Sequence, residues 1–277
     1  MDKFPRTTVG GVSLPRLLIG SNWFLGYSHT SLAKDKFIRD FQTGERIESV
    51  LQAFVAEGID AVVAPPNEKL HEACCRVEDK TGQKIIRMWT PIFDLVPNGD
   101  RGTSAEQGVA LCQKMGGTFC LPHQAVIDAL VDRRTKTIRD LAIYTKLIRD
   151  HGMIPGLSTH MPESVVYADK MDADVATYIQ IYNAAGFLMQ IEADWVMKII
   201  REAKKPVLTI KPLAAGKLLP PVGLAFVWNT IRDQDMVCIG CTTADEAKEV
   251  IQISRDFLDR RIPQVELQRT RSKNSLS

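Results

Sequence analysis

Long apolar runs are missing from this sequence of 277 residues. No stretch reaches the roughly 18 consecutive apolar residues that a membrane-spanning helix needs. The first residues, MDKFPRTTVGG, contain no apolar signal core either. We therefore expect a protein that has no membrane contact and is located in the cytoplasm.

A strong excess of one charge is also missing. Lys and Arg together number 35, Asp and Glu number 33, and the formal net charge is +2. Such a balance creates no strong field for nucleic acid or an anionic membrane. We expect a small-molecule substrate as the partner and no nucleic acid, while the sequence leaves the oligomeric state open.

Cysteines are few and are not arranged as a framework. The six cysteines form no CxxC pair, and two of them, Cys74 and Cys75, are adjacent. This arrangement is typical of reduced thiols and excludes both a disulfide scaffold and a zinc ribbon.

What the sequence does contain is a regular alternation of short apolar runs with helical patterns. The runs are continuous, which favours parallel strands covered on both faces. The predicted strands are 16–20, 60–64, 84–90, 118–121, 153–158, 177–182, 206–211 and 236–240. The predicted helices are 45–58, 67–82, 104–117, 134–152, 162–170, 192–205, 221–234 and 244–261. Eight such repeats in a chain of this length predict an α/β fold, the (β/α)₈ TIM barrel.

Two segments depart from the alternation. Residues 23–43 form a polar stretch, which we interpret as a loop that is either a lid across the barrel mouth or an ordinary surface excursion. Residues 262–277 lack apolar periodicity and predict a loosely held polar tail. Residues 1–261 are then a single barrel domain.

Chemically capable residues end most of the predicted strands: Asn22, His123, His160, Asn183, Lys211 and Cys241. In a parallel barrel the carboxyl ends of all strands open onto one mouth, so these side chains are expected to converge there.

His123 and His160 follow neighbouring strands, and their imidazoles are candidates for acid and base catalysis or for ligands of a divalent metal. A catalytic zinc needs a third protein ligand, for which Asp94, His29, Cys241 and Glu192 are candidates. The alternative is that each histidine bonds to its own loop.

Lys211 ends an apolar strand, where desolvation would lower its pKa as proton-transferring and Schiff-base lysines require. Pairing with a carboxylate is the alternative. Gly240, Cys241 and Thr242 lead into a helix whose free N–H groups could bind an anionic substrate group, unless Thr242 or Thr243 simply caps the helix. Cys241 is either reactive at this helix end or merely packed.

Other polar and aromatic residues are candidates for binding substrate. Asn22 and Asn183 offer amides, Trp23 offers a flat ring for stacking, and His29 lies in the polar stretch that follows. Asp94 is the best carboxylate candidate for catalysis at the mouth, with a solvated loop aspartate as the alternative.

Several segments resemble the aldo-keto reductase superfamily. The run PVLTIKPLAAGKL followed by PVGLAFVWNTIRDQDMVCIGCTTADEAKEVI is similar to the last quarter of that family. GMIPGLSTHMPES and YIQIYN resemble its turn after strand five and its strand six, and RTTVGGVSLPRLLIGSNWFLG resembles its N-terminal hairpin and first strand. The resemblance covers nearly the whole chain, is weakest between Pro65 and Lys114, and implies the same barrel with a hairpin-like start.

The catalytic residues that the resemblance implies are mostly replaced. The family's Asp position falls near Val63 with no Tyr after it, and its Lys position falls on Trp89, Thr90 or Pro91. Only His123 matches. Ile210 takes the place of the aromatic residue that stacks on nicotinamide, so NADPH is not the expected cofactor and a divalent metal stays open.

Three functions follow as alternatives. The first is a lyase-type or isomerase-type enzyme that acts on a small anionic or sugar-like substrate by acid–base or metal-assisted chemistry. The second is an NADPH-dependent oxidoreductase of the aldo-keto reductase type. The third is a barrel that binds a ligand without catalysis.

Overall fold

The structure is a computed structural model that describes residues 3–96, 99–265 and 273. An antiparallel hairpin of β1 (Arg6–Val9) and β2 (Val12–Pro15) precedes the barrel. The strands that follow are β3 (Leu17–Gly20), β4 (Ala61–Ala64), β5 (Ile86–Trp89), β6 (Gly117–Cys120), β7 (Val131–Asp132), β8 (Thr137–Ile138), β9 (Ile154–Pro155), β10 (Leu157–Thr159), β11 (Tyr178–Ile181), β12 (Val207–Ile210) and β13 (Met236–Ile239). The hairpin and all eight predicted barrel strands are confirmed.

The helices lie between these strands. They are α1 (Asn22–Leu25), α2 (Leu32–Phe41), α3 (Gly44–Ala56), α4 (Glu68–Thr81), α5 (Ala105–Lys114), α6 (Gln124–Leu130), α7 (Leu141–Asp150), α8 (Glu163–Lys170), α9 (Ala193–Glu202), α10 (Pro220–Thr230) and α11 (Ala244–Leu258). A capping box of Ser104 and Gln107 forms at the start of α5.

A parallel sheet in the order β10, β11, β12, β13, β3, β4, β5, β6, β9 forms the barrel. Its first and last members are two halves of one chain segment, separated by Gly156 alone. The Gly156 N–H donates to the Cys120 carbonyl on one side, and the next N–H, of Leu157, donates to Thr177 on the other. The chain itself therefore closes the sheet, and the TIM barrel is confirmed.

Gly156 allows this closure because a side chain would not fit. A Cβ placed there would lie 2.8 Å from Leu121 side-chain carbons and 3.0 Å from the Thr177 carbonyl oxygen. The chain can pass this close to Leu121 on one side and to Thr177 on the other only because residue 156 is glycine.

Two apolar layers explain the continuous strands. Leu18, Met88, Phe119 and Leu208 belong to the cluster inside the barrel. Neighbouring strand residues such as Leu17 belong to the cluster between the strands and the helices. Alternate residues of one strand thus enter different cores, and both faces must be apolar.

Two predictions about local structure were wrong, and one helix was missed. Residues 23–43 are largely helical, as α1 and α2, because Ser31 caps α2 by accepting a hydrogen bond from the Lys34 N–H. The helix predicted at 134–152 begins only at Leu141, since a small hairpin of β7 and β8 precedes it. The helix α6 was not predicted at all.

One sequence prediction concerns residues that lie mostly outside the described ranges. Most of the tail predicted at 262–277 lies outside the described residues, so that prediction stays open. Within the described ranges no helix combines the length and the apolar character that crossing a membrane takes.

Candidate functional site

Lys211 lies at the barrel mouth, the face formed by the carboxyl ends of the strands, directly after β12. Its Nζ is 2.8 Å from Nε2 of His29, which belongs to the segment after α1. Burial lowers the pKa of Lys211 to about 8. The alternative of a carboxylate partner is not seen, because no described Asp or Glu forms an ion pair with Lys211.

Both residues of this contact have strained backbones. The φ angle is +61° at Lys211 and +56° at His29, in the left-handed region that side chains with a Cβ disfavour. Ala214 and Ala215 in the same turn as Lys211 also have positive φ. Such strain costs on the order of 1 kcal/mol per residue and persists where the surrounding structure imposes it, often at functional sites.

Asn22 completes the surroundings of the His29 ring. Its Nδ2 lies 3.0 Å from the same Nε2 that Lys211 contacts. An ammonium group only donates hydrogen bonds, so Nε2 of His29 accepts whenever Lys211 is protonated. Loss of solvent and the Lys211 charge lower the pKa of His29, while Asp35 opposes them. Lys211 and His29 can therefore share one proton.

His123 is placed by the start of α6. Its Nδ1 accepts a hydrogen bond of 3.2 Å from the Ala125 N–H, which leaves Nε2 as the protonated nitrogen of the neutral ring. Burial, followed by the charges of Arg101 and Lys211, lowers the pKa of His123 to about 4. At neutral pH the ring is an uncharged hydrogen-bond donor. The alternative that this histidine bonds to its own loop holds for Nδ1 only.

His160 follows β10, and its backbone N–H donates to both carboxylate oxygens of Asp128, at 3.3 Å and 3.2 Å. Burial and then the charges of Lys211, His123 and His29 lower the pKa of His160 to about 3. His123 follows β6, His160 follows β10 and Lys211 follows β12, so all three lie at the carboxyl ends of barrel strands, as the sequence predicted.

Asp128 is a residue that sequence analysis missed. It also accepts a 2.6 Å hydrogen bond from the Thr159 hydroxyl, and burial raises its pKa. The carboxylate thus fixes the backbone that carries His160. Its only signal in the sequence was an acidic residue in an otherwise apolar stretch, AVIDAL, and such a residue is usually a solvated helix residue.

No metal centre is formed by the described residues: no group of three or more His, Cys, Asp and Glu is close enough to hold an ion. Asp94, one candidate for a third ligand beside His123 and His160, binds its own loop, and Cys241, another candidate, is buried. The metal role of the two histidines stays a prediction.

Asp94 serves its own loop. Its carboxylate accepts hydrogen bonds from the backbone N–H groups of Arg101 and Thr103, each at 3.2 Å. Its own N–H donates to the Thr103 carbonyl oxygen at 2.8 Å. Both carboxylate oxygens thus hold this loop, and the expected catalytic role of Asp94 stays a prediction.

Asn183 is likewise occupied by its loop. The side chain is fully buried, donates to the Phe187 carbonyl oxygen at 3.0 Å and accepts from the Phe187 N–H at 2.8 Å. Contact with substrate would require this loop to open, so the geometry does not favour the predicted binding role.

The expected anion site at Gly240, Cys241 and Thr242 already contains an anion. The Glu246 carboxylate accepts a 2.6 Å hydrogen bond from the Thr242 N–H, and the Thr243 hydroxyl accepts one from the Glu246 N–H. A capped helix end repels a second anion. The Cys241 thiol is 2% exposed and burial raises its pKa, so it is packed rather than reactive.

Trp23 covers the end of the eighth barrel strand. A Cβ on Gly240 would lie 2.8 Å from a carbon of the indole ring, so the ring sits directly on this glycine. The Lys34 ammonium lies 5.5 Å from the ring centre on the side of α2. One face of the ring is thus used for packing, and its role in substrate stacking stays a prediction.

These residues do not fit the phosphate of a nicotinamide cofactor. At the helix end where the family resemblance would place that phosphate, Glu246 presents a carboxylate. Ile210, at the end of β12, offers no aromatic ring.

No protein family model matches the sequence, and no curated protein matches it either. Solved structures do. A putative aldo-keto reductase from Pseudomonas aeruginosa is similar with a TM-score of 0.65 and 14% identity, over 91% of this chain and 95% of that chain. A glycerol dehydrogenase from Gluconobacter oxydans has a TM-score of 0.59 and 13% identity, over 96% and 98%. The resemblance to aldo-keto reductases is thereby confirmed at the level of the fold.

A different enzyme shares the same barrel. Ribulose-1,5-bisphosphate carboxylase/oxygenase from Pyrococcus horikoshii has a TM-score of 0.55 and 12% identity, over 91% of this chain and 60% of that chain. One scaffold therefore carries unrelated reactions, and the reaction has to be argued from the residues at the mouth.

Proposed function

We propose that this chain is an enzyme that acts on a small anionic or sugar-like carbonyl compound and moves a proton next to the carbonyl group, as lyases and isomerases do. The observation that carries the proposal is the contact of Lys211 with His29 at the mouth. Lysines that exchange protons near neutral pH need a desolvated position, and Lys211 has one.

The charges around the mouth favour an anionic substrate. The charges that shift the pKa of His160 are those of Lys211, His123 and His29, and those that shift the pKa of His123 are Arg101 and Lys211. All of these groups are basic. At neutral pH Lys211 and Arg101 carry the positive charge among them, and a bound carboxylate or phosphate would be attracted to both.

Each group then has a distinct role. The Lys211 ammonium stabilises the oxyanion or enolate that forms when a proton leaves the neighbouring carbon, and His29 accepts or returns the proton of Lys211. His123 donates a hydrogen bond from Nε2, since its Nδ1 is used by Ala125. His160, whose ring has no hydrogen-bond partner among the described residues, exchanges the substrate proton once a bound anion has raised the pKa of this ring.

Proton transfer next to a carbonyl is tested by deuterium exchange. The protein is incubated in D₂O with pyruvate and with dihydroxyacetone phosphate, and loss of the carbon-bound proton signal is followed by NMR. We expect exchange with the wild type and a decrease of about 100-fold or more in Lys211→Met. The control Lys198→Met changes an exposed lysine on α9, outside the mouth, and should retain the activity.

Other outcomes would replace the proposal. A change of nicotinamide fluorescence on titration with NADPH, without deuterium exchange, would make the chain an oxidoreductase of the aldo-keto reductase type. A melting temperature raised by these compounds without any exchange would indicate a barrel that only binds its ligand.

A further inference from the structure

A second group of reactive side chains lies at the opposite end of the barrel, where the strands begin. A cleft of about 460 Å³ opens there beside the first residues of β5 and β6. Six polar residues that line this lower cleft are His71, Cys75, Glu78, Lys84, Arg87 and Lys114. None of them belongs to the mouth.

Cys75 is the nucleophile of the lower cleft. An Nη of Arg87 lies 3.4 Å from its Sγ, and Nε2 of His71, one helical turn earlier on α4, lies 3.8 Å from it. The guanidinium can donate a hydrogen bond to the sulfur, and the imidazole can accept the thiol proton when the sulfur reacts. Burial and then Arg87 lower the pKa of His71, so this ring is neutral at pH 7.

Arg87 has hydrogen-bonding capacity left over. The residue is 5% exposed, and its two Nη atoms bind the Glu78 carboxylate at 3.0 Å and 2.9 Å. Its buried Nε has no hydrogen-bond partner among the described residues, and neither has Nδ1 of His71. Unpartnered buried donors are rare in folded proteins and call for a ligand or water to complete them.

The other cysteines do not compete with Cys75. Cys74, Cys112, Cys120, Cys238 and Cys241 are all buried, whereas Cys75 is half-buried at the cleft. Burial raises the pKa of Cys74 and of Cys238 to about 12. A thiol reagent from solution should therefore meet Cys75 first.

We propose that Cys75 is a modification site that undergoes thiol–disulfide exchange with small anionic disulfides. The Cys75 thiolate attacks one sulfur of the disulfide, a new bond forms between Cys75 and that sulfur, and the other half leaves as a thiolate. Cys75 is oxidised and the released sulfur is reduced, so the disulfide itself is the oxidant. The Cys75 proton passes to His71 or to water.

The rim of the lower cleft selects for negative charge. Lys84 and Lys114 are exposed there and form no ion pair among the described residues. The carboxylate of Glu78 is already paired with Arg87. A disulfide that carries carboxylates finds two ammonium groups beside the reactive sulfur, which raises its local concentration.

The experiment compares two disulfides of different charge. The folded protein is mixed with 5,5′-dithiobis(2-nitrobenzoate), which carries a carboxylate on each half, or with neutral 4,4′-dithiodipyridine, and the released chromophore is followed. We expect the protein to release one equivalent of chromophore, about tenfold faster than N-acetylcysteine does at the same pH. Intact mass and peptide mapping should place the adduct on Cys75, and Cys75→Ser should abolish the fast phase.

A charge variant tests the rim separately. Lys84→Gln/Lys114→Gln should slow the anionic reagent about threefold or more and leave the neutral reagent unchanged. Lys146→Gln/Lys248→Gln, a matched pair of exposed lysines on α7 and α11, should change neither rate. Reaction of Cys75 no faster than N-acetylcysteine, or first reaction at a buried cysteine, would overturn the proposal. Equal slowing of both reagents would overturn selection by charge.

Discussion

Lys211 and His29 are separated by 182 positions in the sequence, yet their side-chain nitrogens lie 2.8 Å apart, and both residues adopt a left-handed backbone. Two strained residues in contact at the mouth of a barrel point to a site that is held for chemistry at some cost in stability.

Removing the buried ammonium should therefore stabilise the protein. We expect Lys211→Met to raise the free energy of unfolding at pH 7 by about 1 kcal/mol, less than the full pKa shift implies because the group keeps some solvent contact. The folded pKa is about 8 and the usual value is 10.5, so the unfolded chain holds more protons between these values and wild-type stability rises with pH there.

Urea denaturation at pH 7 and pH 10 measures this difference. The advantage of Lys211→Met should shrink at the higher pH, where wild-type Lys211 is neutral in the folded protein. A variant that is less stable than the wild type at pH 7 would show that Lys211 is held by favourable contacts instead.

The two histidines at the mouth, His123 and His160, should make the folded protein less stable as the pH falls. Their folded pKa values are about 4 for His123 and about 3 for His160, both below the usual 6.5, so the unfolded state takes up protons first as the pH falls. Their contribution to stability is complete above pH 6.5 and is lost progressively toward pH 3.

His160→Gln should therefore flatten the decline of stability between pH 6.5 and pH 4.5. Urea denaturation of wild type and variant at a series of pH values measures the two slopes. Their difference in stability at pH 8 serves as the internal control, because neither state gains a proton there. Identical slopes would contradict burial of a neutral His160.

Replacing Glu246 should open an anion-binding site at the start of α11. Glu246→Ala should cost about 1 kcal/mol of stability, because the Thr242 N–H loses its acceptor. The same change should let inorganic phosphate raise the melting temperature, since the helix end becomes free to bind an anion. Differential scanning fluorimetry with a phosphate series measures this.

Asp245→Ala is the matched control, because Asp245 lies in the same first turn but is exposed and contacts Lys248. It should change stability little and give no phosphate effect. A phosphate effect of equal size in both variants would locate the anion elsewhere.

Gly156 should tolerate no side chain. Gly156→Ala places a Cβ 2.8 Å from Leu121, at the joint of the barrel, and should cost about 2 to 3 kcal/mol. Gly108→Ala, inside α5 with its nearest contact at 3.4 Å, should instead be neutral or stabilise by up to about 1 kcal/mol. Thermal unfolding of both variants measures the contrast, and equal losses would mean that Gly156 is not a tight joint.

The fold was predictable because its signals are local. The apolar runs at 16–20 and 206–211 are continuous since each barrel strand feeds two cores, and glycines and caps such as Ser104 mark where elements end. The same reasoning placed His123, His160 and Lys211 at the mouth. It failed for residues 23–43, where a polar composition concealed α1 and also α2, which Ser31 caps.

The sequence by itself determined the parallel barrel and the set of polar residues at its strand ends, because periodicity and strand direction follow from neighbours along the chain. Only the tertiary structure decided which of them are available. Asp94 and Asn183 close their own loops, Glu246 fills the helix end, and His29 reaches Lys211. The loop contacts depend on how each loop folds back through its turns, including left-handed ones, and the contact of His29 with Lys211 joins residues 182 positions apart, which no local pattern encodes.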